Sequence, residues 1–557
     1  MDQAVWRFVL LQTYARLQHT AHSAYRSGLA ATGIRVDDIP HIEEMHEKLA
    51  RFGWSAVCVD GFIPPRAFQG FQANRILPIA AEIRSAEHLA YTPAPDIIHE
   101  AAGHAPILSE PAYAAFMQRF GTIAEKAFGS PSDRLVHQAV YTLSEVKENP
   151  SSTPAQVQAA SRALEQALSQ VSALSESARL TRLYWWTAEY GLIGSVEDYK
   201  LYGAGLLSSL LESQSCLDSR VRKLPLSAEC VQFDYDITRA QPQLFVARDF
   251  EHLLDVLDEV STSLAFRLDP ARALAIAHQS EELATLTLDT GLALSGVVSA
   301  FQTAGDALAW VQLSGAPRFF QRGAAIDDAR CPNEYVLPLG ALRDGRSLST
   351  LSSADLTQRT DNGLLRLEFG SGMALTGIVR SKYEADGRIE WATLERFELC
   401  APNGQVFRSR SLYPLALGAL TGVCAGAPPA YFGSSEPAPL SVPRPRWLGA
   451  RERNLLQLYE QAVEGWKTLA GTALVSRFER ISAELDRTYP DDWLLRWNLL
   501  ESLVKVSAQG ALSAHLTHDL ELLEIKHLHL EPIATGLAHI RTLVAENAQK
   551  EKTTDPP

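Results

Sequence analysis

The sequence predicts a multidomain chain: a mostly α N-terminal domain with short strands, a β-rich domain after it, and an α-helical tail. Three observations predict this. The chain has 557 residues, several times the roughly 100–200 that one domain commonly uses. Near residue 288 the hydrophobic pattern changes from helical spacing to alternation, the period of a half-buried strand. Residues 425–447, AGAPPAYFGSSEPAPLSVPRPRW, contain six prolines and read as a linker before a second helical region.

In chain order, WRFVLLQTYARL and FEHLLDVLDEV carry apolar residues at helical spacing, so residues 1–275 are expected to be a helical domain broken by short extended pieces. Inside it, NPSSTPAQVQAASRALEQALSQVSALSESA starts with Pro and Ser and continues with helix formers. This predicts an inserted helix within residues 145–180. Across 288–424, Leu365, Leu367 and Phe369 alternate with polar residues. Asp386-Gly387 and Asn403-Gly404 separate the β-type runs, which predicts hairpins. Beyond the linker, Leu455, Leu458, Tyr459, Ala462, Trp466 and Leu469 recur on one helical face, and the helical region is expected to span 448–545. Residues 546–557, ending in QKEKTTDPP, are expected to fray.

Composition excludes several classes. A net charge of −14 with no basic stripe argues against nucleic-acid binding. No segment is apolar enough to span a bilayer, and the N-terminus lacks the basic start and cleavage site of a secretory signal. A cytoplasmic protein with no membrane partner is expected; nothing sets its oligomeric state. Cys58, Cys216, Cys230, Cys331, Cys400 and Cys424 are widely spaced without C-x-x-C, which fits free buried thiols. The polar tail cluster His515, His518, His527 and His529 reads as a solvated helix face rather than a metal site.

Chemistry concentrates in PDIIHEAAGH, residues 95–104. In the zinc-peptidase pattern H-E-x-x-H the histidines are four apart on one helix face. His99 and His104 are five apart, which on a regular helix separates them by about 140°. A two-histidine site needs a further ligand, and Glu189 in LYWWTAEYGL is flanked by Trp185, Trp186 and Tyr190. A carboxylate among aromatics needs a positive partner such as a metal. Two imidazoles and one carboxylate with open positions opposite is the arrangement of non-haem Fe(II) oxygenases.

The ordered motifs P-D-x-x-H-E-x-x-G-H, Y-W-x-T-x-E-Y-G-L and YGAGLLSS (202–209) resemble the tetrahydropterin-dependent aromatic amino acid hydroxylases. So do GFIPPRAFQGF (61–71), IRSAEHLAYTPAPD (83–96) and FDYDITRAQPQLFVARDF (233–250). The resemblance implies that residues 1–275 are a catalytic domain of that type, using Fe(II), a reduced tetrahydropterin and O₂ to hydroxylate the ring of a free aromatic amino acid. It further implies that His99, His104 and Glu189 hold Fe(II), with His99 at the start of a helix and Ser208 bonded to its outer nitrogen. Phe68 would stack on the pterin, Gly61, Phe62 and Ile63 would bond its edge, and Glu100 would lie beside it and help in O₂ activation.

By the same resemblance, Arg84 would pair with the amino acid carboxylate and Asp96 would orient Arg84. Thr92, Pro93, Trp185 and Ser209 would complete the amino acid pocket, with Tyr184 and Tyr235 close to the iron. Ile237 matches a position where a tyrosine-specific member carries a carboxylate, and Trp185 resembles the phenylalanine enzymes. L-Phenylalanine to L-tyrosine is therefore the expected reaction. Tryptophan, or another phenylalanine-like ring including meta hydroxylation, is the alternative within the class. A zinc hydrolase with Glu100 as base, or an inactive scaffold, is the alternative outside it. The segment between His104 and Glu189 is longer than the family pattern, Ala101-Ala102 replaces bulkier residues, and the regulatory domain of the animal enzymes is not expected.

Overall fold

In the computed structural model of the chain, the first helix (Asp2–Thr20) buries residues on nearly every side, among them Val5, Trp6, Arg7, Phe8, Val9, Gln12 and Thr13. A helix buried all round must be packed on more than one face, and the reason lies at the other end of the chain. The structure describes residues 1–59, 63–89, 95–148, 152–236, 240–327, 329–432, 449–508, 510–527 and 530–554. These divide into one unit of Met1–Phe120, Arg182–Asp255 and Ser441–Pro557, and another of Gly121–Thr181 and Val256–Leu440. The C-terminal helices thus belong with the N-terminal region. No described helix is long and apolar enough to cross a membrane.

The first unit has helices and short strands at its N-terminal end. Ser55–Val59 and Ile76–Ala80 pair in parallel, joined by a crossover containing the helix Pro65–Ala73. A four-stranded sheet follows in the order Tyr199–Leu201, Leu192–Gly194, Gln243–Ala247, Arg222–Pro225. Its C-terminal helices run Ala450–Thr468, Gly471–Thr488, Trp493–Lys505, Ala511–Lys526 and Glu531–Thr554. The last continues past the expected helix end at 545.

Helix Trp493–Lys505 docks on the first helix. The Phe8 ring meets Trp497 edge-on at 4.6 Å and Trp493 at 5.3 Å. Buried Arg7 pairs with buried Glu501, donates to Asp37 Oδ1 at 3.0 Å, and lies over the Trp466 ring at 5.1 Å. Asn498 donates to Ala4 O and to Leu494 O. Of the four tail histidines, His515 bonds Asp486 at 2.9 Å and His527 lies 3.5 Å from Asp491. Asp486 and Asp519 already neutralise buried Arg496, so this cluster is an ion-pair network. His518 is exposed, and His529 lies outside the described residues.

The second unit holds a helix pair, Pro131–Glu148 and Pro154–Ser169. The latter starts at a Thr153–Gln156 capping box with Pro154 in the first turn. Two six-stranded sheets then share one hydrophobic core. Strand pairing begins at Leu283, ahead of the expected 288, and residues 433–448 of the expected linker lie outside the described residues. Asp386 and Gly387 both take positive φ between strands Ala374–Ala385 and Arg388–Cys400, as a two-residue hairpin turn requires.

The two sheets repeat each other, which the alternation pattern alone did not reveal. Register breaks at Ser295/Val297, Val298/Ala300 and Gln302/Thr303 recur 81 residues later at Thr376/Ile378, Val379/Ser381 and Tyr383/Glu384. Each half also closes on the other in the same way: Asp289 N–H donates to Ala419 O, and Gly370 N–H to Ala341 O, both at 2.9 Å. Tyr335 and Tyr413, which head the equivalent strands YVLP and YPLA, stack at 5.1 Å with an 11° tilt. The β region is an internal duplication whose halves exchange edges.

The six cysteines are free, although Cys58 is exposed and only Cys216 and Cys230 are fully buried.

Candidate active site

Asp96 starts the segment that carries both histidines. Its Oδ1 accepts from the His99 N–H at 3.0 Å, in the manner of an N-cap. At His99 the backbone switches: His99–His104 is π-helical, with the Ala105 N–H bonded to Glu100 O. Bonding five residues back widens the turn, so His99 and His104 return to one face. Their rings lie 4.8 Å apart. His99 is indeed near the start of the helix, after Ile97 and Ile98, but convergence comes from the π turn. Gly103 is required there, because a Cβ would come within 2.9 Å of Ala204 O on the helix Ala204–Ser208.

Glu189 ends a second π segment, Trp185–Glu189, closed by the Tyr190 N–H donating to Trp185 O at 2.9 Å. Its Oε2 lies 3.2 Å from His99 Nε2 and its Oε1 3.1 Å from His104 Nε2. Burial would raise the Glu189 pKa, but the two imidazoles outweigh it and hold the carboxyl well below its ordinary range. Glu100 also lies within 4.8 Å of the histidine nitrogens. Burial pushes it up to about 8, and its Oε2 has no partner among the described residues. Glu189 is the better third donor, since it alone reaches both Nε2 atoms.

Ser208 decides the tautomer of His99. Its hydroxyl donates to Ala204 O at 2.7 Å, so at 3.1 Å from His99 Nδ1 its oxygen must accept. Nδ1 therefore carries a proton, which leaves Nε2, the nitrogen beside Glu189, as the one a metal would use. A metal bound there would find two imidazole nitrogens and a carboxylate already adjacent, so the residues present fit one. Ser208→Ala is expected to leave the fold intact and weaken metal affinity about 10–100-fold, measured by Fe(II) titration; unchanged affinity would contradict this role for the serine.

Arg84 is buried, and Asp96 grips it in a fork: Nε to Oδ2 and Nη2 to Oδ1, both 2.8 Å. A third donor, Nη1, reaches Ser208 O at 3.0 Å. Guanidinium has five donors, so two remain without a partner among the described residues. Burial alone would raise the Asp96 pKa, but the Arg84 charge and hydrogen bonds keep it below the ordinary carboxylate range.

Around this frame, Phe68 approaches Tyr184 edge-on at 6.0 Å, and Tyr184 lies 6.3 Å from the His104 ring. The indole of Trp185 stacks with Tyr190 at 4.6 Å and with Tyr235 at 4.3 Å. The Ser209 hydroxyl accepts from the Glu212 N–H at 3.2 Å, as a cap. Ile63 is partly buried beside the helix Pro65–Ala73. Gly61, Phe62, Thr92, Pro93 and Ile237 lie outside the described residues. Sequence reasoning missed Gln72, which is fully buried and donates to the Tyr184 hydroxyl at 2.8 Å. Its position four residues after Phe68, on the same helix face, was the available signal.

A family model described as biopterin-dependent aromatic amino acid hydroxylase matches residues 3–147 and 155–288. The chain belongs to that family. The match ends with the first strand of the duplicated sheets, Leu283–Leu288. The hydroxylase is 30% identical over 258 residues to the phenylalanine-4-hydroxylase of Mesorhizobium japonicum, covering 46% of this chain and 78% of that protein. Against the Chromobacterium violaceum phenylalanine-4-hydroxylase the identity is 29% over 263 residues, with 46% and 72% covered. Against the Bos taurus protein it is 32% over 221 residues, with 39% of each covered. A solved structure of the C. violaceum phenylalanine hydroxylase, with bound iron (III) and 7,8-dihydrobiopterin, is similar at 27% identity and a TM-score of 0.37, covering 47% of this chain and 80% of that one. As a member of this family, the hydroxylase is a pterin-dependent aromatic amino acid monooxygenase.

Proposed function

We propose that the hydroxylase converts L-phenylalanine to L-tyrosine, with Fe(II) held by His99, His104 and Glu189. The observation that carries the metal assignment is the convergence of three donors: both histidine Nε2 atoms lie within 3.2 Å of one carboxylate. Bound Fe(II) and a reduced pterin supply the activation of O₂ that lets one oxygen atom reach the aromatic ring. The chain's own residues bind, orient and exclude water.

Arg84 offers its two remaining N–H groups to the substrate carboxylate, and Asp96 fixes the plane in which they point. Because Asp96 also caps the start of the histidine segment, the amino acid and the metal ligands are held by one carboxylate. Ser208 repeats this coupling from the other side, touching His99 with its hydroxyl and Arg84 with its carbonyl. Phe68 offers a ring for the pterin, and Tyr184, held by Gln72, closes the space between Phe68 and His104. Trp185 and the ring of Tyr235 bound the amino acid side chain.

Phenylalanine is favoured by Trp185 and by the relatives, which are phenylalanine-4-hydroxylases. We further propose that residues 1–275 act as the catalytic domain, supported by the C-terminal helices. Anaerobic loading with Fe(II), followed by a tetrahydropterin, O₂ and phenylalanine, tyrosine or tryptophan in turn, tests the reading. Tyrosine from phenylalanine, lost in His99→Ala, is the expected result. A meta-hydroxylated product, or tryptophan as the preferred substrate, would overturn the substrate assignment. Zinc retention with peptide hydrolysis would overturn the class.

A further inference from the structure

The side chain of Gln241 is almost fully buried, and its amide orientation is forced by chemistry. The Trp185 indole is a donor only, and it donates to Gln241 Oε1 at 3.3 Å. A backbone carbonyl is an acceptor only, and Gln241 Nε2 donates to Asp236 O at 2.8 Å. One amide therefore ties the helical segment carrying Trp185 to the chain just after Tyr235. The same residue's backbone N–H donates to the buried Glu212 carboxylate, and Glu212 in turn donates its N–H to Ser209 Oγ. Trp185, Tyr235 and Ser209, three residues from separate parts of the sequence, are thus joined behind the amino acid side of the site.

Stacking with Tyr190 and Tyr235 restrains Trp185 against tilting, but stacked rings can still slide in their common plane. A hydrogen bond in the plane of the indole, at Nε1, opposes that slide. On the reading that Trp185 bounds the amino acid pocket, its in-plane position sets how far that pocket extends.

We propose that Gln241 is a positioning residue for substrate selection: its amide fixes the in-plane position of Trp185 relative to Tyr235 and so sets the space left for the substrate ring. This rests on the reading of Trp185 as a boundary of the amino acid pocket. The hydrogen bonds of the Gln241 amide run to Trp185 and Asp236, so its influence falls on recognition of the aromatic ring.

The test is a cycle of Gln241→Met, Trp185→Phe and the double variant, with Fe(II) content and circular dichroism confirming folded protein. Steady-state kinetics are run for phenylalanine and for the pterin. Gln241→Met is expected to raise the phenylalanine KM about tenfold, the size of one lost buried hydrogen bond, with the pterin KM unchanged. In the Trp185→Phe background, which has no indole N–H to hold, the further rise is expected to be less than about twofold. Gln241→Glu keeps an acceptor for Trp185 but sets a buried carboxylate oxygen against the Asp236 carbonyl, so it is expected to raise the phenylalanine KM at least as much as Gln241→Met. Equal effects of Gln241→Met in both backgrounds would overturn the proposal. If Trp185→Phe itself leaves the phenylalanine KM and the product unchanged, the pocket reading of Trp185 fails first. If Trp185→Phe acts and Gln241→Met does not, only the positioning role fails.

Discussion

Asp96→Ala is expected to raise the KM for the amino acid about 100-fold, equivalent to about 3 kcal/mol of lost transition-state and substrate binding. Four hydrogen bonds end on this carboxylate: from Arg84 Nε, Nη2 and N–H, and from the His99 N–H. Its removal leaves a buried guanidinium without its counter-charge, free to swing away from the plane in which the substrate carboxylate must meet it. Leaving one partner of a buried pair uncompensated costs about 3–5 kcal/mol of stability. The urea midpoint should therefore fall together with affinity. Asp96→Asn keeps an oxygen for the His99 N–H but loses the charge. It should separate the two effects, retaining more stability than Asp96→Ala while still binding the amino acid weakly. Steady-state kinetics with phenylalanine and urea unfolding of both variants check this. A phenylalanine KM within about threefold of the parent in Asp96→Ala would show that Arg84 is held, or used, in some other way.

The second large effect is expected far from the chemistry. Glu501→Ala leaves Arg7 buried in the first helix with only the half-exposed Asp37 as counter-charge. A loss of about 3 kcal/mol follows, at the lower end of the range for a broken buried pair because Asp37 remains. Arg7→Met combined with Glu501→Leu replaces both charges with apolar groups of similar reach and should recover most of that loss. Chemical unfolding followed by circular dichroism distinguishes the cases. If Glu501→Ala is no less stable than the parent, the C-terminal helices do not support the first helix as the packing of Phe8, Trp493 and Trp497 requires. The consequence should reach the active site, since Arg16 on the same helix donates to Leu210 O at 2.8 Å, two residues beyond Ser208. Heat inactivation of Glu501→Ala should begin at a lower temperature than in the parent.

How much of this was legible beforehand differs by feature. The candidate site residues could be proposed from motif order, because each sits in a short segment whose chemistry is local: a carboxylate among aromatics, two histidines in one motif, an arginine near an aspartate. The way His99 and His104 converge could not be read, since a π turn is not marked by a propensity. It goes with a close approach of helix Ala204–Ser208 at Gly103, a contact between segments far apart in sequence. The same holds for Gln72 and Gln241, ordinary polar residues until the fold buries them against Tyr184 and Trp185. In the β region, alternation and the Asp-Gly turn revealed strands, while the likeness of LALSGVV to MALTGIV went unread. It was the repeated register breaks that exposed the duplication.

The sequence by itself determined the order of helical, β-rich and helical regions, the family, and a set of candidate site residues, because periodicity and motifs are properties of neighbouring residues. Only the tertiary structure decided that the C-terminal helices share a unit with the N-terminal region. It also decided that the widened turns aim His99, His104 and Glu189 at one another, and that Asp96 and Ser208 each bond both His99 and Arg84. The physical reason is common to all three. Burial of Arg7, Arg84 and Glu189 requires partners of opposite charge or hydrogen-bonding capacity, and the chain supplies those partners from positions that no local pattern connects.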